Sequence, residues 1–393
     1  MSIGGSTIDA ELARLQRPVP APAIGLTERL ERIEKARRLT RELGADAVLI
    51  GAGPSLNYFA GVPWGASERL VAMLLPVTGD PVIICPYFEQ GSLEADLKIS
   101  ADLRLWQEDE SPHALIKQAL GDWGATKLAV DPAMSFEMVH RLGRETGLNV
   151  LEASFVINGC RMYKSSAEIA LMQQAKNMTL QVHKATARIL CDGITTTEVI
   201  TFIETAHRKL GASGNSFVIV QFGHATAYPH GLPGVQSLKA NDLVLVDTGC
   251  YVQGYTSDIT RTYIYGQATE DQKRIWDIEK EAQAAAFARV AVGTSCEAVD
   301  YAARAVLEKH GLGPDYALPG TPHRTGHGIG LSIHEPAYLV RGDKTPLLPG
   351  MCFSNEPMIV VPERFGIRLE DHMYVTENGA KWFTEPQPAI DQV

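Results

Sequence analysis

The pattern of apolar and polar residues predicts two regions of mixed secondary structure. In the first region, a charged amphipathic helix over 26–43 precedes several short apolar strands. The strands are predicted at 47–50, 71–77, 81–86 and 127–130, and one further helix is predicted near 113–120. Strands that alternate with helices in this way indicate a mixed α/β domain.

The second region is marked by helix start signals. Ser165 with Glu168, and Thr195 with Glu198, have the spacing of a capping box, and each pair precedes apolar residues at helical period. Two further helices are predicted over 270–291 and 297–310. Glycine-rich strands lie between and after these helices, so we expect an α+β domain.

Length and composition add a division into domains. A chain of 393 residues with 45% hydrophobic content favours two domains. We divide it into a leader (1–23), an N-terminal domain (24–158) and a C-terminal domain (159–393).

Charge and cysteine usage exclude several classes of protein. The net charge of -10 and the lack of a basic run argue against a nucleic-acid partner. The six cysteines are scattered without a C-x-x-C pair, as expected for reduced thiols. The first residues do not resemble a secretory signal, and no apolar run reaches the length of a membrane span. We therefore expect a soluble, cytoplasmic protein with no membrane partner.

Two aspartates flank a predicted β-hairpin. Asp247 ends the apolar run 243–246, and Asp258 follows eleven positions later, with Gly254 between them. If the turn centres between Val252 and Gln253, the two aspartates face each other across the strands. Like charges in that position destabilise a sheet, which favours a divalent cation between them. Taken alone, the pair also fits an ordinary aspartate-rich turn.

A histidine- and glycine-rich segment gives the strongest chemical signal. His323, His327 and His334 lie within twelve residues, and glycines occupy positions 326, 328 and 330. Imidazole can bind a metal or donate to developing negative charge, while glycine lets the backbone approach a ligand closely. Seven of the eleven histidines lie between positions 224 and 372, which places the chemistry in the second domain.

Two glutamates follow this segment. Glu356 precedes a proline, and Glu370 belongs to the alternating run 366–372. Period two places Arg368 and Glu370 on one face of that strand. Taken singly, each glutamate also fits an ordinary surface or loop position.

Together these segments resemble the pita-bread metallopeptidases, the family of Xaa-Pro dipeptidases (prolidases), aminopeptidase P, methionine aminopeptidase and creatinase. Residues 323–335 fit the signature of the prolidase and aminopeptidase P branch. The shorter segments around Asp247, Asp258, Glu356 and Glu370 follow in the family's order, and residues 24–158 resemble its creatinase-type N-terminal domain. The implied fold is a mixed α/β N-terminal domain followed by a pita-bread domain, an antiparallel sheet flanked by helices.

The resemblance implies two divalent metal ions per chain, with manganese preferred and cobalt or zinc as alternatives. Asp247 would bind one ion, and His327 and Glu356 would bind the other. Asp258 and Glu370 would bridge the two. A pair of metal ions can activate a bridging water as the nucleophile and polarise the scissile carbonyl. Glu356 would accept the proton of that water.

The same resemblance assigns residues that contact the substrate. His230 and His334 would contact the peptide and stabilise the tetrahedral intermediate, and His323 would be a further pocket histidine. Arg368 would orient Glu370 or bind the substrate. His224 and His372 are interpreted as structural.

The implied activity is hydrolysis of the bond before proline, preferentially in dipeptides. A homodimer is implied as well, and an aromatic segment with Tyr58, Phe59 and Trp64 could either close the partner's substrate pocket or simply pack. Aminopeptidase P, which acts on longer Xaa-Pro peptides, is the main alternative. A creatinase-like or ectoine-hydrolase-like C–N hydrolase and a non-enzymatic binding protein are less consistent with five intact ligand positions.

Overall fold

The computed structural model describes residues 3–393, which divide into two compact units. One unit comprises Ile24–Arg161, and the other combines the described residues up to Ala23 with Met162–Val393. The division thus falls three residues after the expected end of the N-terminal domain. The leader contains a helix, α1 (Ile8–Arg14), and is grouped with the C-terminal part of the chain.

A six-stranded sheet forms the centre of the unit 24–161. Its helices are α2 (Leu26–Glu42), α3 (Pro54–Ala60), α4 (Gln90–Asp96), α5 (Pro112–Trp123), α6 (Phe136–Thr146) and α7 (Ser154–Arg161). Its strands are β1 (Ala47–Gly51), β2 (Ala72–Pro76), β3 (Val82–Pro86), β4 (Asp102–Trp106), β5 (Leu128–Val130) and β6 (Val150–Glu152). The strand order is β4-β3-β2-β1-β5-β6, with antiparallel pairs at β1–β2 and β2–β3 and parallel pairs elsewhere. The predicted mixed α/β domain is therefore confirmed.

The aromatic segment of this unit is largely core. Tyr58 and Phe59 are buried, and their rings meet edge to face with centroids 4.8 Å apart. The Tyr58 hydroxyl donates to the carbonyl of Cys160 at 3.0 Å. Packing thus explains these two residues, whereas Trp64 is half-buried.

Four long helices and eleven strands follow in the second unit, counted over its described residues. The helices are α8 (Ser166–Ile189), α9 (Thr196–Leu210), α10 (Glu270–Arg289) and α11 (Cys296–Lys309). The strands are β7 (Asn215–Phe222), β8 (Asp242–Val252), β9 (Tyr255–Thr256), β10 (Ile259–Tyr265), β11 (Gly326–Gly328), β12 (Glu335–Leu339), β13 (Cys352–Asn355), β14 (Met358–Val361), β15 (Phe365–Arg368), β16 (Asp371–Thr376) and β17 (Gly379–Trp382). Short 3-10 helices lie at Tyr87–Glu89 and Gly223–Ala227.

The sheets of the second unit are antiparallel. Their strand orders are β10-β8-β7, with β9 also paired to β8, then β12-β11-β13-β16-β17, and β14-β15. Helices α10 and α11 share one apolar core with these sheets, in which Trp276 and Val299 are buried together with Phe353 and Met373. The predicted α+β class, with an antiparallel domain flanked by helices, is confirmed.

Local sequence explains where the helices begin. Ser165 and Thr195 cap α8 and α9 through complete capping boxes, as predicted, and Thr269 caps α10 in the same way. Helix α1 carries the buried Glu11, whose carboxylate pairs with Arg188 near the end of α8. In the part of the chain that the structure describes, no helix combines the length and apolar character needed to cross a bilayer.

Candidate metal centre

The hairpin formed by β8 and β10 brings two aspartates to one face of the sheet. Asp247 lies opposite Thr260, and Asp258 precedes Thr260 by two residues, which places it on the same face. The predicted turn position was wrong by one residue. Gln253 and Gly254 form the two-residue turn, with φ angles of 51° and 84°, a conformation that favours tight hairpins. Asp247 and Asp258 are therefore diagonal neighbours rather than direct cross-strand partners.

A glycine allows the close approach of chain segments beside these aspartates. A Cβ atom on Gly249 would lie 1.7 Å from the carbonyl oxygen of Ser257. Ser257 immediately precedes Asp258, and its hydroxyl accepts from the backbone N–H of Cys250 at 2.9 Å. The position of Asp258 thus depends on a residue without a side chain two positions after Asp247.

The glycines of the histidine-rich segment serve strand packing. A Cβ on Gly326 would lie 2.1 Å from the carbonyl oxygen of Ser354, and one on Gly328 would lie 2.4 Å from that of Glu335. A Cβ on Gly330 would meet the Glu335 side chain at 2.6 Å. These glycines leave room for atoms of neighbouring residues. Close packing of the chain, rather than the expected approach of a ligand, therefore explains them.

His327 on β11 points its imidazole toward the carboxylates. Its Nδ1 lies 3.0 Å from the carbonyl oxygen of Gly328, the geometry of a donated N–H bond. Its Nε2 lies 3.1 Å from Glu356 Oε1 and 3.8 Å from Asp258 Oδ2. Nε2 thus faces the carboxylates, and a metal ion bound there would take the place of the proton that Nε2 otherwise shares with Glu356.

Arg368 and Glu370 lie on the same side, as predicted, although they do not belong to one strand. The chain leaves β15 after Arg368 and enters β16 at Asp371, so the predicted continuous strand over 366–372 is interrupted. Arg368 Nε donates to the Thr260 hydroxyl at 3.0 Å, and that hydroxyl donates to Glu370 Oε2 at 2.7 Å. Thr260 was missed from the sequence, although its position two residues after Asp258 places it on the same face.

Three carboxylate oxygens of the cluster have no hydrogen-bond partner among the described residues. Asp247 Oδ1, Asp258 Oδ1 and Glu370 Oε1 are buried without a hydrogen bond. Burial raises the pKa of all three carboxyl groups, and the charges of neighbouring carboxylates raise it further. Burial also acts to raise the pKa of Glu356, but the hydrogen bond and charge of His327 outweigh it and lower the pKa to about 2.

This donor set fits a hard divalent cation. Ligand atoms of Asp258, His327 and Glu370 lie within 4.8 Å of one another. Clustered carboxylates with buried, unpartnered oxygens are unfavourable without a compensating positive charge. Carboxylate oxygens together with one imidazole nitrogen suit manganese, cobalt or zinc. The residues present therefore fit a divalent metal ion at this position.

Two further predicted histidines lie around His327. The His334 ring meets the His327 ring edge to face, with centroids 4.2 Å apart. Burial and then the charge of His327 lower the pKa of His334 to about 4. His323 Nδ1 donates to the carbonyl of Arg324 at 2.7 Å, while its buried Nε2 has no hydrogen-bond partner among the described residues. Burial lowers the pKa of His323, and its ring interacts electrostatically with Glu356.

His230 lies at the edge of the cluster. It is exposed, yet it is close enough to His334 to interact with it electrostatically. Arg368 contacts the same loop through a 3.4 Å hydrogen bond to the carbonyl of Pro229, and its guanidinium forms a buried ion pair with Asp247. Arg368 thus connects the His230 loop to the aspartates.

His372 lies beside Glu370. Its side chain is fully buried, its Nε2 is 3.9 Å from Glu370 Oε1, and neither ring nitrogen has a hydrogen-bond partner among the described residues. His224, by contrast, is exposed.

A buried polar network behind the cluster was not predicted. Arg261 pairs with Asp371 at 2.6 Å and donates to the carbonyl of Glu370 at 2.8 Å. The Gln283 side chain donates to the Asp371 carboxylate at 3.1 Å, and the backbone carbonyl of Gln283 accepts from the Asn355 side chain at 2.9 Å. Asn355 and Asp371 are the chain neighbours of Glu356 and Glu370, so this network holds the backbone that carries both glutamates.

Comparison with known proteins supplies the family context. The model of metallopeptidase family M24 matches residues 170–377, and that of the creatinase/prolidase N-terminal domain matches residues 32–163. The chain is 36% identical over 354 residues to the probable dipeptidase PepE of Mycobacterium tuberculosis, covering 89% of this chain and 92% of that protein.

Solved structures are similar over almost the whole chain. The crystal structure of dipeptidase PepE from Mycobacterium ulcerans has a TM-score of 0.84 at 35% identity and covers 94% of this chain and 98% of that one. The recombinant prolidase from Thermococcus sibiricus has a TM-score of 0.84 at 29% identity, with 93% and 98% covered.

Proposed function

Because the chain belongs to metallopeptidase family M24, we propose that it hydrolyses the Xaa-Pro bond, preferentially in dipeptides, with two bound divalent metal ions. The five proposed ligands are Asp247, Asp258, His327, Glu356 and Glu370. The observation that carries this proposal is the convergence of the His327 Nε2 atom with buried carboxylate oxygens that have no hydrogen-bond partner among the described residues. The ions, when bound, would activate water and polarise the scissile carbonyl.

The chain's own residues have distinct proposed tasks. Glu356, ionised because of His327, is the proposed proton acceptor. His334, whose ring contacts that of His327, and the nearby His230 would contact the peptide and the developing oxyanion. Arg368 holds Asp247 through the ion pair and Glu370 through Thr260, which fixes the separation of these carboxylates.

The choice of substrate rests on the relatives. A dipeptidase and a prolidase are both similar over more than nine tenths of this chain. The bond before proline lacks an N–H, which general peptidases use for recognition, so its cleavage calls for a dedicated site. Manganese is the proposed metal, with cobalt and zinc as the alternatives.

Metal reconstitution and a substrate panel test this function together. Chelator-treated protein should be inactive and regain activity with about two Mn2+ ions per chain. Asp258→Ala and Glu370→Ala should lose both bound metal and activity, whereas Glu377→Ala, at an exposed carboxylate, should lose neither. Ala-Pro should be cleaved faster than Ala-Pro-Ala, while the reverse order would indicate an aminopeptidase P. Full activity without metal would refute the proposal.

A further inference from the structure

A chain of hydrogen-bonded side chains leads from α9 to the residue that precedes Asp258. His207 on α9 and Thr179 on α8 are both fully buried. His207 Nε2 lies 3.0 Å from the Thr179 hydroxyl, which lies 2.7 Å from the hydroxyl of Ser257. At the other end, Asn215 Nδ2 lies 2.7 Å from His207 Nδ1. These four residues, Asn215, His207, Thr179 and Ser257, form what we call the His207 network.

Asn215 sets the direction of every bond in the His207 network. An amide nitrogen only donates, so His207 Nδ1 accepts and the ring proton lies on Nε2. Nε2 then donates to Thr179, and Thr179 donates to Ser257. The Ser257 hydroxyl donates in turn to the carbonyl of Cys250 at 3.4 Å and accepts from the N–H of the same residue at 2.9 Å.

The bonds of the His207 network are satisfied from one end to the other. Burial lowers the pKa of His207 to about 3, so its ring is neutral near pH 7 and keeps a single ring proton. Both ring nitrogens and both hydroxyls have partners. A buried polar network in which each member is bonded favours one rigid arrangement. Ser257 is therefore held from α8, α9 and the neighbouring strand β8 together.

Asp258 needs such support from the chain beside it. It lies with Ser257 in the two-residue break between β9 and β10, where regular strand pairing does not fix the backbone. Its Oδ1 atom has no hydrogen-bond partner in the described part of the chain, and the charges of Asp247 and Glu356 oppose its own. Repulsion would therefore move this carboxylate out of the cluster unless the preceding residue were anchored.

We propose that His207 and Thr179 are positioning residues of the metal centre, which hold Asp258 in place through the hydroxyl of Ser257. The inference rests on the proposed function, because it takes Asp258 as a ligand of the bound metal. Residues that orient a metal ligand change the affinity for the metal by about ten- to a hundredfold when they are replaced. Thr179 acts through the neighbour of the ligand, so we expect the lower end of that range.

The same substitution at two positions of α8 tests the network. Thr179→Val keeps the shape of the side chain and removes the hydroxyl between His207 and Ser257, so it should weaken manganese binding about tenfold in a calorimetric titration. Thr186→Val is the matched control. Thr186 is also fully buried on α8, but its hydroxyl has no partner among the residues described, so the affinity should not change. Thr179→Ser, which retains the hydroxyl, should keep most of the affinity.

A second variant locates the route to Asp258. Ser257→Ala removes the other end of the contact and should also weaken binding about tenfold. The Thr179→Val, Ser257→Ala double variant should bind about as weakly as either single variant, because both changes break one contact. Losses that multiply would overturn the proposed route. Thermal unfolding shows that each variant is folded at the temperature of the titration, and Ser257→Ala alone decides the proposal if Thr179→Val does not fold.

The outcomes separate this inference from the proposed function. If Thr179→Val binds manganese as tightly as the wild type, or if Thr186→Val weakens binding to the same extent, the His207 network does not position Asp258, although the proposed function stands. If the wild type binds manganese but cleaves no Xaa-Pro substrate, the proposed activity fails, and the titrations still decide the role of Thr179. A wild type that binds no manganese would overturn both.

Discussion

Replacing Asp258 by asparagine should stabilise the metal-free protein while abolishing its affinity for metal. Asp258 is buried beside Asp247 and close to Glu356, and burial followed by these two charges raises its pKa well above the ordinary value. Asparagine keeps the shape of the side chain and removes one negative charge. Its amide can also donate to the Asp247 Oδ1 atom, which has no partner among the described residues.

The size of the gain follows from proton linkage. The folded pKa of Asp258 lies above its unfolded value of about 3.9, so the acid destabilises the fold progressively as pH rises above about 4 and up to the folded pKa. Each pH unit in that window lowers the free energy of unfolding by about 1.4 kcal/mol. Arg368 offsets part of the repulsion. We therefore expect the Asp258→Asn variant to be about 1–3 kcal/mol more stable at pH 7.5 and close to wild type at pH 4.

Thermal unfolding of chelator-treated protein measures this difference. For a unit of this size, each kcal/mol raises the midpoint by about 2–4 °C. Adding manganese should reverse the order, because the wild type gains binding energy that the variant cannot. Asp300→Asn is the matched control. Asp300 is also buried, but its carboxylate accepts four hydrogen bonds from Thr325, Arg304 and Arg341, so losing that carboxylate should destabilise the protein. A metal-free Asp258→Asn protein no more stable than wild type at pH 7.5 would refute the reasoning.

Two further substitutions test the support of the centre. Gln283→Leu should lower manganese affinity about tenfold in a calorimetric titration, because the backbone carbonyls of Asn355 and Leu369, beside Glu356 and Glu370, lose the side-chain amide that holds them. Gln387→Leu removes a buried amide whose hydrogen bonds within the described residues go to the backbone of Thr262 and Ala389, and it should leave that affinity unchanged. Gly249→Ala should destabilise by about 3 kcal/mol in urea unfolding and reduce metal content, whereas Gly214→Ala, with open space around it, should do neither.

Local signals carried the sequence predictions that succeeded. The capping boxes at Ser165 and Thr195 fixed two helix starts, because a capping box involves only residues within one turn. The hairpin register failed because it depended on a left-handed Gln253, a conformation that a sequence pattern does not specify. The packing of the leader helix depends on the ion pair of Glu11 with Arg188, which are 177 residues apart.

The predictions for the candidate site also differ according to whether they depended on local sequence. Arg368 and Glu370 both bond to Thr260, although the strand predicted to carry both is interrupted. The predicted hairpin correctly brought Asp247 and Asp258 to one face. The roles assigned to Glu356 and Glu370 came from resemblance alone, and they remain proposals. Gln283 had no sequence signal, because its contact with the strands depends on how α10 is rotated against the sheet. From sequence alone, a polar residue on a helix is expected on the solvent-facing side.

The network behind the centre is better explained by positioning than by stability. A buried ion pair such as Arg261–Asp371 contributes little net stability, because desolvation offsets most of its attraction. Arg261 nevertheless donates to the backbone carbonyls of both Thr260 and Glu370, and so joins the strand after Asp258 to the segment that carries Glu370. Mutually repelling carboxylates would separate unless their backbones were fixed. The same charge pair therefore holds two proposed bridging ligands at a separation that a cation can span.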